Sequence, residues 1–396
     1  MTIMERIAEI AKETDNHYLR EARLAGNKVM GYFCSYVPVE LIHAAGFVPY
    51  RMRAVGSTGT DLADGYFAPL NCSYARHCFN KALKGDFGFL RGVVFMNGCD
   101  HTRRMYDNWR YTNIGPGFLH LLFVPHVMGN NAADGFGESI NALKAAIEKH
   151  FSITVSDDKI RDSISLYNRM RRLLFSLDEK RKQKNPLISG SDMLRVVMAV
   201  TAVPVETACS LLEEVNAFVD SRQSAPAGDV RVIMLAGCME EPDHLKLYED
   251  SGGVVVSDAF CMGTRLYARS VDEHKNPGEA LAEGYLCSRV SCPRMMDDFP
   301  RRVAAVADMA REYSADAVVV EKLKFCDMWG WEIERLRREA KKGAIPPVLA
   351  IEREYLGGAS GQVKTRIQAF FEQIRNKQEI DDAIVRQDRT AYYVRK

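Results

Sequence analysis

The stretch "VVFMNGCDHTRR" (Val93–Arg104) reads as an apolar strand that runs out at Asn-Gly and delivers a cysteine, after which polar and basic residues continue. A short apolar, β-branched run closed by Asn-Gly is a buried-strand signal. The same ending recurs in "AVVVEKLKFCDMW" (Ala317–Trp329), again with Cys-Asp at the exit. Working outward, the strand-like runs "KVMGYFC", "FVPYRMR" and "HLLFVPH" flank the first copy, with helical patterns through "PVELIHAAG" and "SYARHCFNKALKG". The runs "VRVIMLAGC", "GVVVSDAFC" and "PPVLAIERE" flank the second, with helices in "WEIERLRREAKKG" and "GQVKTRIQAFFEQIRN". Continuous apolar strands alternating with helices predict parallel sheets covered on both faces.

Between the two sets, from about Ser139 to Arg222, the pattern reads as three helical stretches with little strand signal, and one of them, "DDKIRDSISLYNRMRRLLFSL", is amphipathic at the 3.6-residue period. The expected architecture is α/β: two parallel-sheet βαβ (Rossmann-like) domains with a helical insert between them. The boundaries fall at 1–137 for the N-terminal α/β domain, 138–225 for the helical segment and 226–396 for the C-terminal α/β domain, with "QSAPAGD" as a linker.

A chain of 396 residues exceeds one ordinary domain, and 47% hydrophobic with 27% charged residues is a soluble globular composition. The net charge of +1 gives no global electrostatic reason to bind nucleic acid or an anionic membrane. The opening segment "MTIMERIAEIAKETDNHYLREARLAGNK" reads as a charged amphipathic helix without the apolar core of a signal peptide. No apolar stretch has the length of a membrane span. A cytoplasmic protein is expected, with neither nucleic acid nor membrane as partner.

Ten cysteines in such a chain are not expected to form structural disulfides. No C-x-x-C occurs, and the tightest spacings are Cys72 to Cys78 and Cys287 to Cys292. That argues against a zinc ribbon, a thioredoxin motif and a ferredoxin run, so any metal ligands come from separated segments. Parallel sheets bind ligands beyond the carboxyl ends of their strands. Cys34, Cys99, Cys238, Cys261 and Cys326 each sit at or just past a predicted strand end. Thiolates meeting between two domains suit an iron–sulfur cluster better than structural zinc. Cys72 follows no strand and on composition alone is an ordinary loop cysteine opening a helix; Cys78 reads as helix packing.

The ordered segments "GYFCSYVPVELIHAAG", "PLNCSYARH", "NGCDHTRR", "DAFCMGTR", "SCPRM", "KFCD" and "EREYLGGASGQVKTRIQAFFE" resemble the 2-hydroxyacyl-CoA dehydratase and benzoyl-CoA reductase superfamily, from about Lys28 to Glu372. The resemblance implies a [4Fe-4S] cluster held by three dispersed cysteines, which carry over to Cys72, Cys99 and Cys326. In the substrate-binding subunit of such enzymes the fourth iron keeps an open position. It further implies an acyl-CoA or aryl-CoA substrate and a homologous second subunit or self-association. An ATP-hydrolysing iron–sulfur activator protein supplies single electrons, and the thioester is reduced to a ketyl radical. (R)-2-hydroxyacyl-CoA dehydration is the leading activity, and reduction of the benzoyl-CoA ring the alternative. An electron-relay subunit, or a small-molecule reductase carrying the double-cubane [8Fe-9S] cluster of some members, are further alternatives.

Other residues carry two readings each. Ser35, with Tyr36, precedes a helix starting near Pro38 and is either a plain N-cap or a group facing the thioester oxygen or cluster. Glu40 in that helix's first turn either complements the helix dipole or carries a proton near substrate. His43 reads as a satisfied core histidine. His101, Arg103 and Arg104 follow Cys99, the arginines being solvated or facing a phosphate. Asp100 and Asp327 are expected to cap the helices they open. "YLGGASGQ" is either a flexible turn or an anion cradle, and lacks the lysine and spacing of a P-loop. Trp329 and Trp331 either shield a cluster from water or belong to the core.

Overall fold

The computed structural model describes residues 1–129, 131–222, 228–356 and 360–394. The linker "QSAPAGD" falls largely outside them, as does the Gly-Gly-Ala centre of "YLGGASGQ". The N-terminal segment forms two helices, α1 (Ile3–Lys12) and α2 (His17–Leu24), where one was expected. The break has a local cause: Thr2 closes a capping box with Glu5 at the start of α1, and the Asn16 side chain accepts from Leu19 N to begin α2.

The first sheet is built from β1 (Lys28–Tyr32), β2 (Phe47–Arg51), β3 (Leu90–Met96) and β4 (Phe118–Leu122), with α3 (Val39–Ala44), α4 (Ser73–Leu83) and α5 (Asp100–Thr112) between them. The helical segment follows as four helices where three stretches were expected, α6 (Ala132–Phe151), α7 (Asp157–Glu179), α8 (Gly190–Val200) and α9 (Val205–Asp220), the last two separated at Pro204, the N-cap residue of α9. The second sheet has β5 (Val230–Ala236), β6 (Gly253–Ala259), β7 (Ala317–Leu323) and β8 (Val348–Arg353). Its connections carry α10 (Pro242–Glu249), α11 (Thr264–Tyr267), α12 (Pro277–Leu286), α13 (Phe299–Glu312) and α14 (Asp327–Lys341), and α15 (Ser360–Val394) closes the chain.

Both sheets are wholly parallel and share one strand order: β2-β1-β3-β4 in the first and β6-β5-β7-β8 in the second. The chain leaves the first strand of each sheet to one side and returns for the third on the other. The crevice beyond the ends of those two neighbouring strands is therefore the switch point where such sheets bind ligands. The helical segment is not a free-standing layer. Leu143, Ile164, Val197 and Leu212 share one core with Met30 and Val94 of the first sheet and with Leu281 and Tyr285 of α12. Among the described residues no helix is long and apolar enough to cross a membrane.

Arg181, just past α7, locks the helical segment to the second sheet. Its fully buried guanidinium donates to Asp178 at 2.9 Å, Asp258 of β6 at 3.0 Å and the Val255 carbonyl at 3.2 Å. Removing one member of such a set leaves buried charge uncompensated, at a cost of about 3–5 kcal/mol. Arg181→Met is therefore expected to lower the urea unfolding midpoint clearly, while Arg103→Met, which breaks only an exposed pair, leaves it nearly unchanged.

Candidate functional site

Seven cysteines line one cavity where the carboxyl ends of the two sheets meet: Cys34, Cys72, Cys99, Cys238, Cys261, Cys292 and Cys326. Its volume is about 150 Å3, an order of magnitude beyond the ~10–15 Å3 that one water needs. Chain order explains the convergence. Cys34 and Cys238 come two residues after β1 and β5, the first strands of each sheet, and Cys99 and Cys326 come three residues after β3 and β7, the third strands. All four stand at the two switch points. Cys261 follows β6, and Cys72 and Cys292 arrive on loops.

Cys72, Cys99 and Cys326 share a local device: each is the N-cap residue of a helix, α4, α5 and α14 respectively. This corrects the expectation for Asp100 and Asp327. Both are the first residue inside the helix, where a carboxylate still suits the dipole, while the cysteine takes the cap. At Cys99 the capping box is reciprocal: its backbone N–H donates to Thr102 Oγ1 at 3.2 Å, and its sulfur accepts from the Thr102 backbone N–H.

Burial dominates the electrostatics of these thiols. It pushes Cys72 from the usual 9.0 up to about 12, aided by the Cys99 thiol and opposed by the N–H groups of Ala75 and Tyr74. Burial likewise raises Cys99 against the Thr102 hydroxyl, and raises Cys326 against the Trp329 N–H, with Cys72 and Cys99 adding to the rise. Cys34 is pushed up to about 12 by burial and then by Cys261. Burial thus disfavours the thiolate form at all four positions.

His101 ties the three loops together. One ring nitrogen lies 3.1 Å from Asn71 Oδ1, beside Cys72, and the other 2.9 Å from the Phe325 carbonyl, beside Cys326. Phe325 has φ +63° and Cys34 has φ +88°, a left-handed backbone that costs side-chain-bearing residues about 1–3 kcal/mol and clusters at functional sites. Trp329 is buried and forms part of the wall, packed so close to the strand exit that a Cβ on Gly237 would lie 3.0 Å from its indole nitrogen. Trp331 is exposed and lies outside.

The remaining candidates are elsewhere. Ser35 is buried in the wall of a smaller cavity of about 30 Å3, its carbonyl accepting from Arg289 Nη1 at 2.9 Å. Glu40 is fully buried, ion-paired with Arg171 and accepting from Tyr285 OH at 2.7 Å. Neither lines the cysteine cavity. Arg103 and Arg104 are exposed, paired with Asp100 and Asp107, and half-buried His43 meets Ser163 at 2.8 Å. Cys78, on α4, is buried in the core of the first α/β part, and Cys209 and Cys287 also lie away from the cavity.

Sequence reasoning missed the charged residues of the wall: Arg51, Arg294, Glu321, Lys322 and Arg353. The available signal was a charge interrupting an apolar strand run, as in "FVPYRMR", "AVVVEKL" and "VLAIERE". Burial alone would raise the Glu321 carboxyl. His244 at 2.7 Å, Arg353 at 2.8 Å and the Tyr248 hydroxyl outweigh it and hold the group at about 2. With the folded value below the usual 4.5, this stabilisation is present above pH 4.5 and is lost as pH falls toward 2. Acid titration of stability should therefore show a loss on the order of 3 kcal/mol across that window. The loss should shrink in Glu321→Gln.

Among the described residues no three His, Cys, Asp or Glu side chains close on a single-ion site. An iron–sulfur cluster asks for something else, thiolates distributed around a volume so that each reaches a different iron, and the cavity's donor set of buried sulfurs fits that demand. Two parallel sheets that meet over a cysteine-lined cavity define a class of α/β protein with a sulfur-rich site at its strand ends. The chain belongs to the 2-hydroxyglutaryl-CoA dehydratase D-component family, whose model matches residues 34–374. It is 27% identical to a putative dehydratase subunit (YjiM) of Escherichia coli K12, over 94% of this chain and 98% of that protein. It is 24% identical to the (R)-phenyllactyl-CoA dehydratase beta subunit of Clostridium sporogenes, covering 92% and 96%. It is also 24% identical to a benzoyl-CoA reductase subunit of Thauera aromatica, covering 81% and 84%.

Proposed function

We propose that this chain is the iron–sulfur subunit of an enzyme that acts reductively on CoA thioesters, with (R)-2-hydroxyacyl-CoA dehydration as its reaction. The observation that carries the proposal is the convergence of Cys72, Cys99 and Cys326, remote in the chain, as three helix N-caps on one cavity. The dehydratase and reductase subunits it resembles over most of their length support the substrate class. When bound, a three-thiolate cubane supplies single electrons and an iron position open to a carbonyl oxygen. The chain's own residues do the rest. Helix N–H groups point at the three sulfurs, His101 joins the Cys72 and Cys326 loops, and Trp329 supplies an apolar wall. A homologous second subunit, or a second copy of this chain, and an ATP-hydrolysing iron–sulfur activator complete the system.

A second reading is favoured by a specific observation. Cys34, Cys238, Cys261 and Cys292 line the same cavity, and a single three-thiolate cubane leaves all four unexplained. A double-cubane [8Fe-9S] centre takes six thiolates and would use three of those four, and the substrate would then be a small molecule and not a CoA thioester.

Iron and sulfide counts on anaerobically prepared protein separate the two: about four irons per chain for one cubane, about eight for two. Cys99→Ser and Cys326→Ser should strip the iron on either reading, and Cys78→Ser should leave it intact. Cys238→Ser should lower the iron content only on the second reading. Colourless, iron-free native protein would sink both. With activator and ATP supplied, turnover of a 2-hydroxyacyl-CoA supports the first reading, and inertness toward every CoA thioester in an eight-iron protein supports the second.

A further inference from the structure

The cationic side chains of the cavity wall are not alike, and the difference identifies one with an unmet requirement. Arg294 is spent on the backbone, donating to the carbonyls of Pro125 at 2.7 Å and Val124 at 2.8 Å and so fixing the loops around Cys99. Arg353 is neutralised by Glu321 at 2.8 Å and Glu241 at 3.0 Å. Arg53, two residues beyond Arg51, donates to the carbonyls of Met198, Ile10 and Glu13. Arg51 has no such outlet. It ends β2, is 2% exposed and lines the cysteine cavity, yet its Nε and Nη1 have no hydrogen-bond partner.

The groups nearest Arg51 in electrostatic terms are the Tyr74 and Tyr32 phenols and the Cys34 and Cys238 thiols. Its guanidinium carbon stands 5.5 Å from the centre of the Tyr32 ring. The carboxylate within its range, Glu240, is engaged by Ala54 N at 3.2 Å and Tyr355 OH at 2.7 Å and makes no ion pair with it. A buried guanidinium without a counter-charge is among the most costly arrangements a fold can hold. The cost is removed if an anion occupies the cavity, and an iron–sulfur centre with thiolate ligands is anionic. Hydrogen bonds to the sulfurs and nearby charge are among the factors that set the potential of such a centre.

We propose that Arg51 is the counter-cation of this centre: its free N–H groups donate to sulfur on the Cys34–Cys238 side of the cavity and raise the centre's reduction potential. It is a positioning and tuning residue, and the inference rests on the iron–sulfur reading above. Reduction adds one electron to an already negative body, and a fixed positive charge beside it favours the reduced form. The planar fork matters as well as the charge, because a lysine places one compact, strongly hydrated ammonium where arginine places several directed donors.

The test uses the full-length, anaerobically loaded protein labelled with 15N-arginine. In the reduced, paramagnetic state, pulsed electron paramagnetic resonance should detect a guanidinium nitrogen coupling that disappears in Arg51→Lys. A weaker coupling from Arg265, whose Nη1 is 3.8 Å from the Cys261 sulfur, should persist. Arg51→Gln should carry normal iron and show a midpoint potential shifted to more negative values, with Arg51→Lys between it and the native protein. If Arg51→Gln fails to fold, the nitrogen coupling in native protein and its loss in Arg51→Lys still decide. Native protein that binds no iron overturns the iron–sulfur reading itself. Loaded native protein without the coupling, or variants at the native potential, overturns the role of Arg51 alone.

Discussion

The constraint on which this structure depends is the direction of its strands. In a parallel sheet every carboxyl end points the same way, so whatever follows each strand is delivered to one edge. Here two such edges face a common space, and the chain places a cysteine two residues beyond the first strand and three beyond the third in each sheet. A register error of one residue would turn these side chains to another face. The apolar cores on both sides of each sheet, with Val93 and Phe95 on one face of β3 and Val94 and Met96 on the other, specify that register. Ordinary hydrophobic burial thus fixes the position of chemically unusual groups.

Placing so many thiols in a protein interior creates an electrostatic problem with two components. The thiols resist ionisation because each is buried and close to others. The cationic wall responds unevenly: most of its members are satisfied by carbonyls or carboxylates, and the least satisfied lies on the side of Cys34 and Cys238. The helix starts add directed N–H groups at Cys72, Cys99 and Cys326, a weaker and shorter-ranged contribution. The cavity thus sets a group of mutually close thiols against one buried guanidinium that lacks a hydrogen-bond partner on two of its nitrogens.

Much of the fold was legible because parallel strands buried on both faces leave near-continuous apolar runs, and eight such runs became eight strands. The helical segment was legible from its period, although its four helices share a core with both α/β parts, a relation that local pattern does not encode. Of the site, the strand-end cysteines stood out by position. Cys72 did not, because no strand precedes it, and only the resemblance of "PLNCSYARH" marked it. The capping role was assigned to aspartate by propensity, whereas tertiary placement gave it to the cysteines. Arg51 was hidden in plain view: a charge inside "FVPYRMR" reads as a strand boundary until the structure shows it buried and unpaired.

The left-handed residue before Cys326 and the histidine that grips its carbonyl belong to different halves of the chain. A body bridging Cys99 and Cys326 would fasten that seam like a rivet, closing the whole helical segment and most of the second sheet into one covalent ring. Ring closure of that length restricts the unfolded chain more than the folded one. Loading the cavity would thereby add a covalent tie to a joint that His101, Arg289 and Arg294 already hold by hydrogen bonds between the halves.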